Sequence, residues 1–119
     1  MSKEYLEYLK HILQECNYIV SITSQDISFE NFMADETMKR AMVRSLEIIG
    51  EATKKIPADV KLNWKQINWK NMAGMRDRLI HDYMGVNYSI VWDVIKNIIP
   101  DVKIKIEEIT DQNFDNQAI

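Results

Sequence analysis

"MKRAMVRSLEIIGEATKKIP", residues 38–57, decides the fold class. Met38, Ala41, Met42, Ser45, Ile48, Ile49, Ala52 and Ile56 recur at three- and four-residue steps, so they share one face of an α-helix. Lys, Arg and Glu fill the other face, and all three are good helix formers. Pro57 ends the run, because the residue before a proline is pushed out of the α region. A helix over about 35–56 is predicted, and its apolar stripe needs partners to cover it.

The flanking chain supplies them. Tyr5, Leu9, Ile12, Cys16, Ile19 and Val20 predict an amphipathic helix over about 2–23. "SQDISFENF", residues 24–32, breaks the pattern, with Asp26 or Ser28 as N-cap of a short turn. Residues 57–68, "PADVKLNWKQIN", read as a connector holding at most one helical turn. Met72, Met75, Leu79 and Tyr83 place a third helix over about 69–82, ended at Gly85. Val91, Ile95, Ile98, Val102, Ile106 and Ile109 give a fourth from about Ser89, which Pro100 should kink or interrupt because it lacks a backbone donor. The predicted architecture is all-α, a four-helix up-and-down bundle with an additional short helical turn and a kinked last helix. It forms a single domain over residues 1–110, followed by a polar, frayed tail over 111–119.

Composition agrees. In 119 residues, hydrophobic side chains make up 46% and charged ones 28%, with 3 glycines and 2 prolines, too few for a turn-rich β fold. The lone Cys16 excludes an internal disulfide and cannot begin a cysteine-based zinc site. No secretory signal is visible, and no apolar run approaches the roughly 20 residues of a membrane span, so a cytoplasmic protein without a membrane partner is expected. The seven methionines are expected as core filler.

The net charge of −3 hides an asymmetry. Residues 54–81 hold Lys54, Lys55, Lys61, Lys65, Lys70, Arg76 and Arg78 against Asp59 and Asp77, a local charge of +5 on an otherwise acidic chain. Such a surface suits a phosphate-bearing partner, although lysines also simply solvate loops.

Within that stretch, "RDRLIHDY", residues 76–83, concentrates ionisable groups. Arg78 and Asp82 are four apart, the spacing of a surface ion pair. Asp77 stands one turn before His81, where a carboxylate orients an imidazole or is itself merely solvated. Arg76 and His81 are five apart, about 140° around an ideal helix, so the two do not converge unless the helix frays or a second chain contributes.

The wider segment "AGMRDRLIHDYMGVNYSIVWDVI", residues 73–95, closely resembles the HepT-like branch of the HEPN superfamily. The family signature is Arg, four residues, His, any residue, Tyr, filled here by Arg76, His81 and Tyr83. "RSLEIIGEATKKIP", residues 44–57, resembles the family's second-helix signature. Two departures are visible: Met84 stands where an aromatic residue is common, and the acidic tail has no counterpart.

The resemblance implies the toxin half of a toxin–antitoxin pair. It implies a helical homodimer with motifs facing each other, and RNA cleavage that needs no metal or other cofactor. It also implies a cognate nucleotidyltransferase antitoxin that uses ATP and Mg²⁺ to transfer AMP to Tyr83. Cleaving RNA this way needs a base, an acid and positive charge on the phosphorane-like transition state. His81 fits proton transfer, since His11 falls on the polar face of the first helix. A twofold dimer supplies a second His81 and Arg76 and removes the 140° difficulty. Arg76 suits a bidentate phosphate clamp, with Asp77 as orienting partner and Arg78 and Lys70 as RNA-positioning groups. Two other readings stand beside it: a non-catalytic helical adaptor that presents a nucleotide or substrate to a nucleotidyltransferase, and a structural bundle in which "RDRLIHDY" is a salt-bridged surface. Trp64, Trp69 and Trp92 are expected in the core or a dimer contact rather than as base-stacking platforms. Glu47 and Glu51 are expected on an exposed face, Tyr88 in loop packing and Asp93 in solvent.

Overall fold

The computed structural model of the protein describes residues 4–79 and 85–117. Polar side chains cap the starts of four of its helices. Ser28 Oγ accepts from Asn31 N–H at 3.0 Å and opens α2 (Phe29–Ala34), and Asp35 Oδ1 accepts from Met38 N–H at 2.9 Å and opens α3 (Glu36–Lys54). Asn68 caps α5 (Trp69–Ala73) through Asn71 N–H at 3.0 Å, and Asn87 caps α7 (Tyr88–Asp93) through Ser89 and Ile90 N–H. Each satisfies donors that the first helical turn would otherwise leave orphaned. Ser28, not Asp26, is thus the cap after α1 (Tyr5–Thr23), and Asp26 takes a left-handed φ of 59°.

The all-α expectation holds. The four predicted helices correspond to α1, α3, the pair α5 and α6 (Met75–Leu79), and α7 running into α8 (Ile99–Gln117). The chain adds α2 and α4 (Ala58–Asn63), the latter falling in the predicted connector. α8 continues to Gln117, past residue 110 where a frayed tail was expected to begin.

α3 is the central element, packed along α1 on one side and against α5 and α6 on another, while α1 also packs on α8. This explains why the buried positions of α3 exceed the single stripe read from sequence. Val43, Leu46, Gly50 and Thr53 are buried alongside Met42, Ser45, Ile49 and Ala52, whereas Met38, Ala41 and Ile48 are half-buried. Leu9, Ile12, Cys16 and Ile19 of α1 meet Met42, Leu46 and Ile49 of α3 and Ile95, Ile99, Ile106 and Ile109 in a core from which water is excluded. Each large aliphatic side chain so buried contributes roughly 1.5–3 kcal/mol relative to exposure. Buried threonines keep their hydroxyls satisfied: Thr23, Thr53 and Thr110 each donate to the carbonyl four residues back, at 3.1, 2.7 and 3.2 Å.

Pro100 does not break the last helix. Val94–Ile98 form a π-helical turn just before it, in which Ile99 N–H reaches back five residues to the Val94 carbonyl. A wider turn absorbs the missing Pro100 donor that an α-helical ladder would require.

Candidate active site

The motif helix is set on the core by one face. Trp69, Met72, Met75 and Leu79 point inward and are buried, and Trp69 Nε1–H donates to the Trp64 carbonyl at 2.9 Å, tying α5 to the end of α4. The predicted continuous helix breaks at Gly74, where φ −87° and ψ 7° leave helical geometry. Hydrogen bonding nevertheless runs through the break, from Gly74 N–H to the Lys70 carbonyl and from Arg78 N–H to the Gly74 carbonyl, at 3.0 and 3.1 Å. Opposite the break stands Gly50. A Cβ built there would lie 3.4 Å from the Met72 oxygen, 3.6 Å from the Ala73 oxygen and 3.9 Å from the Arg76 nitrogen. Gly50 thus stands where α3 meets the backbone that leads into the motif arginine, with room for a methyl group but little more.

Arg76, Asp77 and Arg78 on α6 and Lys70 on α5 are exposed, on the side away from the core. His81 and Tyr83 lie outside the described residues, as does Asp82, so the Asp77–His81 and Arg78–Asp82 pairings expected from spacing lie there too. The frame around that segment is described. Leu79 is fully buried, Gly85 has φ 106°, and Asn87 N–H donates to the Leu79 carbonyl at 3.0 Å. That bond joins the end of α6 to the start of α7. Gly85 adopts a φ that side-chain-bearing residues avoid.

Most cations around the site have no ion-pair partner among the described residues. Among the described residues, Lys54, Lys61, Lys65, Lys70, Arg76 and Arg78 make no ion pair, whereas several cations elsewhere do: Lys39 and Arg40 with Glu36, Arg44 with Glu47, Lys103 with Glu107 and Lys105 with Asp101. Five of those six cations, all but Lys54, lie between α4 and α6.

The sequence profile of the family described as Ribonuclease HepT-like matches residues 3–109. The chain belongs to the HepT-like ribonuclease family. Among its relatives, a protein of Caldanaerobacter subterraneus subsp. tengcongensis designated an RNase is 49% identical over 86% of this chain and 90% of its own. A Methanocaldococcus jannaschii protein with the same designation is 42% identical over 90% and 88%. A Thermococcus cleftensis protein named for ribonuclease HepT is 41% identical over 92% of this chain and 98% of its own. No solved structure matches the chain.

Other candidates in this HepT-like chain resolve into packing. Trp69 is buried, and Trp92 lies 5.2 Å from the Phe32 ring and 5.9 Å from Phe29, joining α7 to α2. Tyr88 meets Phe32 at 6.4 Å and lies under the Lys39 ammonium at 4.7 Å, so it packs as expected, at the start of α7. Asp93 accepts from Asn97 Nδ2–H at 2.8 Å. Glu47 is half-buried and pairs with Arg44 at 3.6 Å, while Glu51 is exposed. Among the described residues neither joins a His, Cys, Asp or Glu cluster able to hold a metal. His11 is exposed, stacked edge-on against Tyr8 at 6.5 Å. Cys16 is fully buried, and burial, reinforced by nearby Glu15, pushes its thiol up to about 12 from 9.0, which makes it a core side chain and not a nucleophile. Met42, Met72 and Met75 fill the core as expected, but Met33 is exposed. Among the described residues no helix is long and apolar enough to cross a membrane.

Sequence reasoning quoted "IIGEA" without giving Gly50 a task, and it passed over Asn87. Both carried signals. A glycine inside a strongly helical run asks for a close neighbour, and an asparagine just before an apolar run is a helix start.

Proposed function

We propose that this HepT-like chain is an endoribonuclease that cleaves RNA without a metal ion, acting as the toxin of a toxin–antitoxin pair. The observation that carries the reading is the family match over residues 3–109, with relatives designated RNases. The exposed Arg76, which has no ion pair among the described residues and stands on a helix packed against α3, supports it. In this reading the 2′-hydroxyl of the RNA attacks the adjacent phosphorus, a His81 imidazole removes its proton, and a protonated His81 delivers one to the departing 5′-oxygen. The products are a 2′,3′-cyclic phosphate and a 5′-hydroxyl. Arg76 stabilises the charge that builds on the phosphorane oxygens. One histidine cannot serve as base and acid in the same step, so two chains contribute, one His81 each, across a homodimer. Tyr83, two residues from His81, takes AMP from a nucleotidyltransferase antitoxin that uses ATP and Mg²⁺. The added phosphate then excludes RNA by bulk and by negative charge.

Purified protein incubated with mixed tRNA and mRNA in EDTA is expected to cut it, and Arg76→Ala and His81→Ala, both folded, to lose the activity. Wild-type protein that leaves every RNA of a broad panel intact removes the ribonuclease reading in favour of a nucleotide-presenting adaptor. Sedimentation is expected to find the active species at dimer mass. Intact mass after incubation with the antitoxin and ATP rises by whole AMP units on wild type and stays fixed on Tyr83→Phe.

A further inference from the structure

Beside the motif helix lies a surface bowl of about 740 Å³, walled by α4, the turn after it and the start of α5. Ala58 and Leu62 give it an apolar lining, and Leu62 is 65% exposed, the most exposed large hydrophobic side chain among the described residues. Lys61, Lys65 and Lys70 stand around it. Among the described residues none of the three makes an ion pair and no acidic side chain lines the bowl. The bowl shares Gln66, Ile67 and Asn68 with a narrower cleft of about 150 Å³ that is lined by Arg78 and closed by α8. The concave surface therefore runs from the motif helix into the bowl. Lys70 lies six residues before Arg76, about 9 Å along a helix axis.

We propose that the bowl is an RNA subsite that seats the single strand flanking the cleaved phosphate. Lys61, Lys65 and Lys70 hold its phosphates, and the Leu62 side chain carries an unstacked base. The proposal rests on the ribonuclease reading for its substrate and adds Lys61, Leu62 and Lys65, to which that reading gives no role, beside Lys70. Charge complementarity argues for the occupant: uncompensated ammonium groups arranged around an apolar floor match alternating phosphates and base faces. The three lysines lie within ten residues of one another, on α4, on the turn after it and on α5, and all line one concavity rather than a convex face. A strand with its bases turned out can present a base to such a floor, whereas a duplex keeps its bases stacked.

The test measures binding rather than cleavage. His81→Ala protein, full-length, is titrated in EDTA against a fluorescent single-stranded RNA of about 12 nucleotides, from 0.05 to 1 M salt. Each phosphate contact on a single strand contributes about 0.7 to the slope of log affinity against log salt. Adding Lys61→Gln and Lys65→Gln together is expected to lower that slope by about 1.4, weakening binding about 25-fold at 0.1 M and converging with the parent near 1 M. Leu62→Ser weakens binding with the slope unchanged. Lys10→Gln with Lys103→Gln removes the same charge elsewhere and leaves the titration where it was. An unchanged slope in the Lys61/Lys65 variant overturns the subsite, as does an equal loss in the control. So does a Lys61/Lys65 variant that loses association with a nucleotidyltransferase partner while binding RNA normally, which would make the bowl a protein contact. The two readings fail separately. Wild-type protein that cuts no RNA while the Lys61/Lys65 slope change persists removes the nuclease and keeps the subsite. Cleavage with an unchanged slope does the reverse.

Discussion

Replacing Gly50 separates the packing role of "IIGEA" from the chemistry of the motif. A methyl group at this position would sit 3.4 Å from the Met72 oxygen and 3.6 Å from the Ala73 oxygen, at ordinary contact distance. An alanine inside a helix gains about 0.5–1 kcal/mol over glycine. Gly50→Ala is therefore expected to be neutral to stabilising by up to about 1 kcal/mol, leaving Arg76 in place. Gly50→Val differs in kind. Its two γ carbons project about 1.5 Å beyond Cβ, in a helix they are held almost entirely in one rotamer, and the atoms they meet are backbone, which cannot swing aside. Overpacking of this sort costs about 1–3 kcal/mol. At about 4 °C per kcal/mol for a domain of this size, Tm falls by about 4–12 °C. Relief requires α5 and α6 to move off α3, and Arg76 moves with them. Because a displacement of about 1 Å can cost 10²-fold in rate, RNA cleavage should drop on the order of 10- to 100-fold. Thermal unfolding followed by circular dichroism, with cleavage rates on the same samples, measures both. A Gly50→Val protein as stable and active as wild type refutes the claim that the space ends just beyond a methyl group, and a Gly50→Ala protein destabilised by more than about 1 kcal/mol refutes the claim that a methyl group fits.

Arg76→Ala removes an exposed side chain that has no ion pair among the described residues. Its unfolding midpoint in urea should correspond to wild-type stability within about 0.5 kcal/mol, while cleavage falls by 10² or more. Asn87→Ala deletes the acceptor for Ser89 and Ile90 N–H and should lower stability by about 1 kcal/mol, with Asn87→Asp or Asn87→Ser restoring most of it. Cys16 should resist iodoacetamide at pH 8 until denaturant exposes it. In the unfolded chain the thiol loses its proton near 9.0, whereas the folded protein keeps it to about 12, so the folded state binds more protons between those values. Stability then falls as pH rises from about 9 to 12, and the slope is shallower in Cys16→Ala, whatever that variant's own midpoint.

Periodicity carried most of the fold because the core is built from side chains with one strong preference. Leu9, Ile12, Ile19, Ile49, Ile106 and Ile109 are apolar at helical spacing and all are fully buried. What it missed depended on tertiary partners. Two-sided burial of α3 draws in Val43, Leu46 and Thr53, which a single-stripe reading leaves outside. α4 is a six-residue helix with one buried side chain, Val60, too short to show a period. The break at Gly74 is written in one glycine, and its counterpart is another glycine 24 positions earlier. For the site, the exposure of Arg76, Asp77, Arg78 and Lys70 was legible because α5 and α6 bury one clean face. Gathering Lys61, Lys65 and Lys70 around one concavity was not, since it depends on how α4 folds back toward α5.

The π-helical turn before Pro100 also acts as a phase shifter. One extra residue in a helix advances everything beyond it by about 100°. The chain uses that offset so that Ile99, Ile106 and Ile109 face the core on one side of the turn while Tyr88 and Trp92 face Phe32 on the other. Deleting a single exposed residue inside it, such as Asn97, would restore an ordinary ladder and rotate α7 away from α2. The residue count of Val94–Ile98 is therefore under tighter constraint than the identity of any one side chain within it. In this helix a one-residue indel is a larger change than most substitutions.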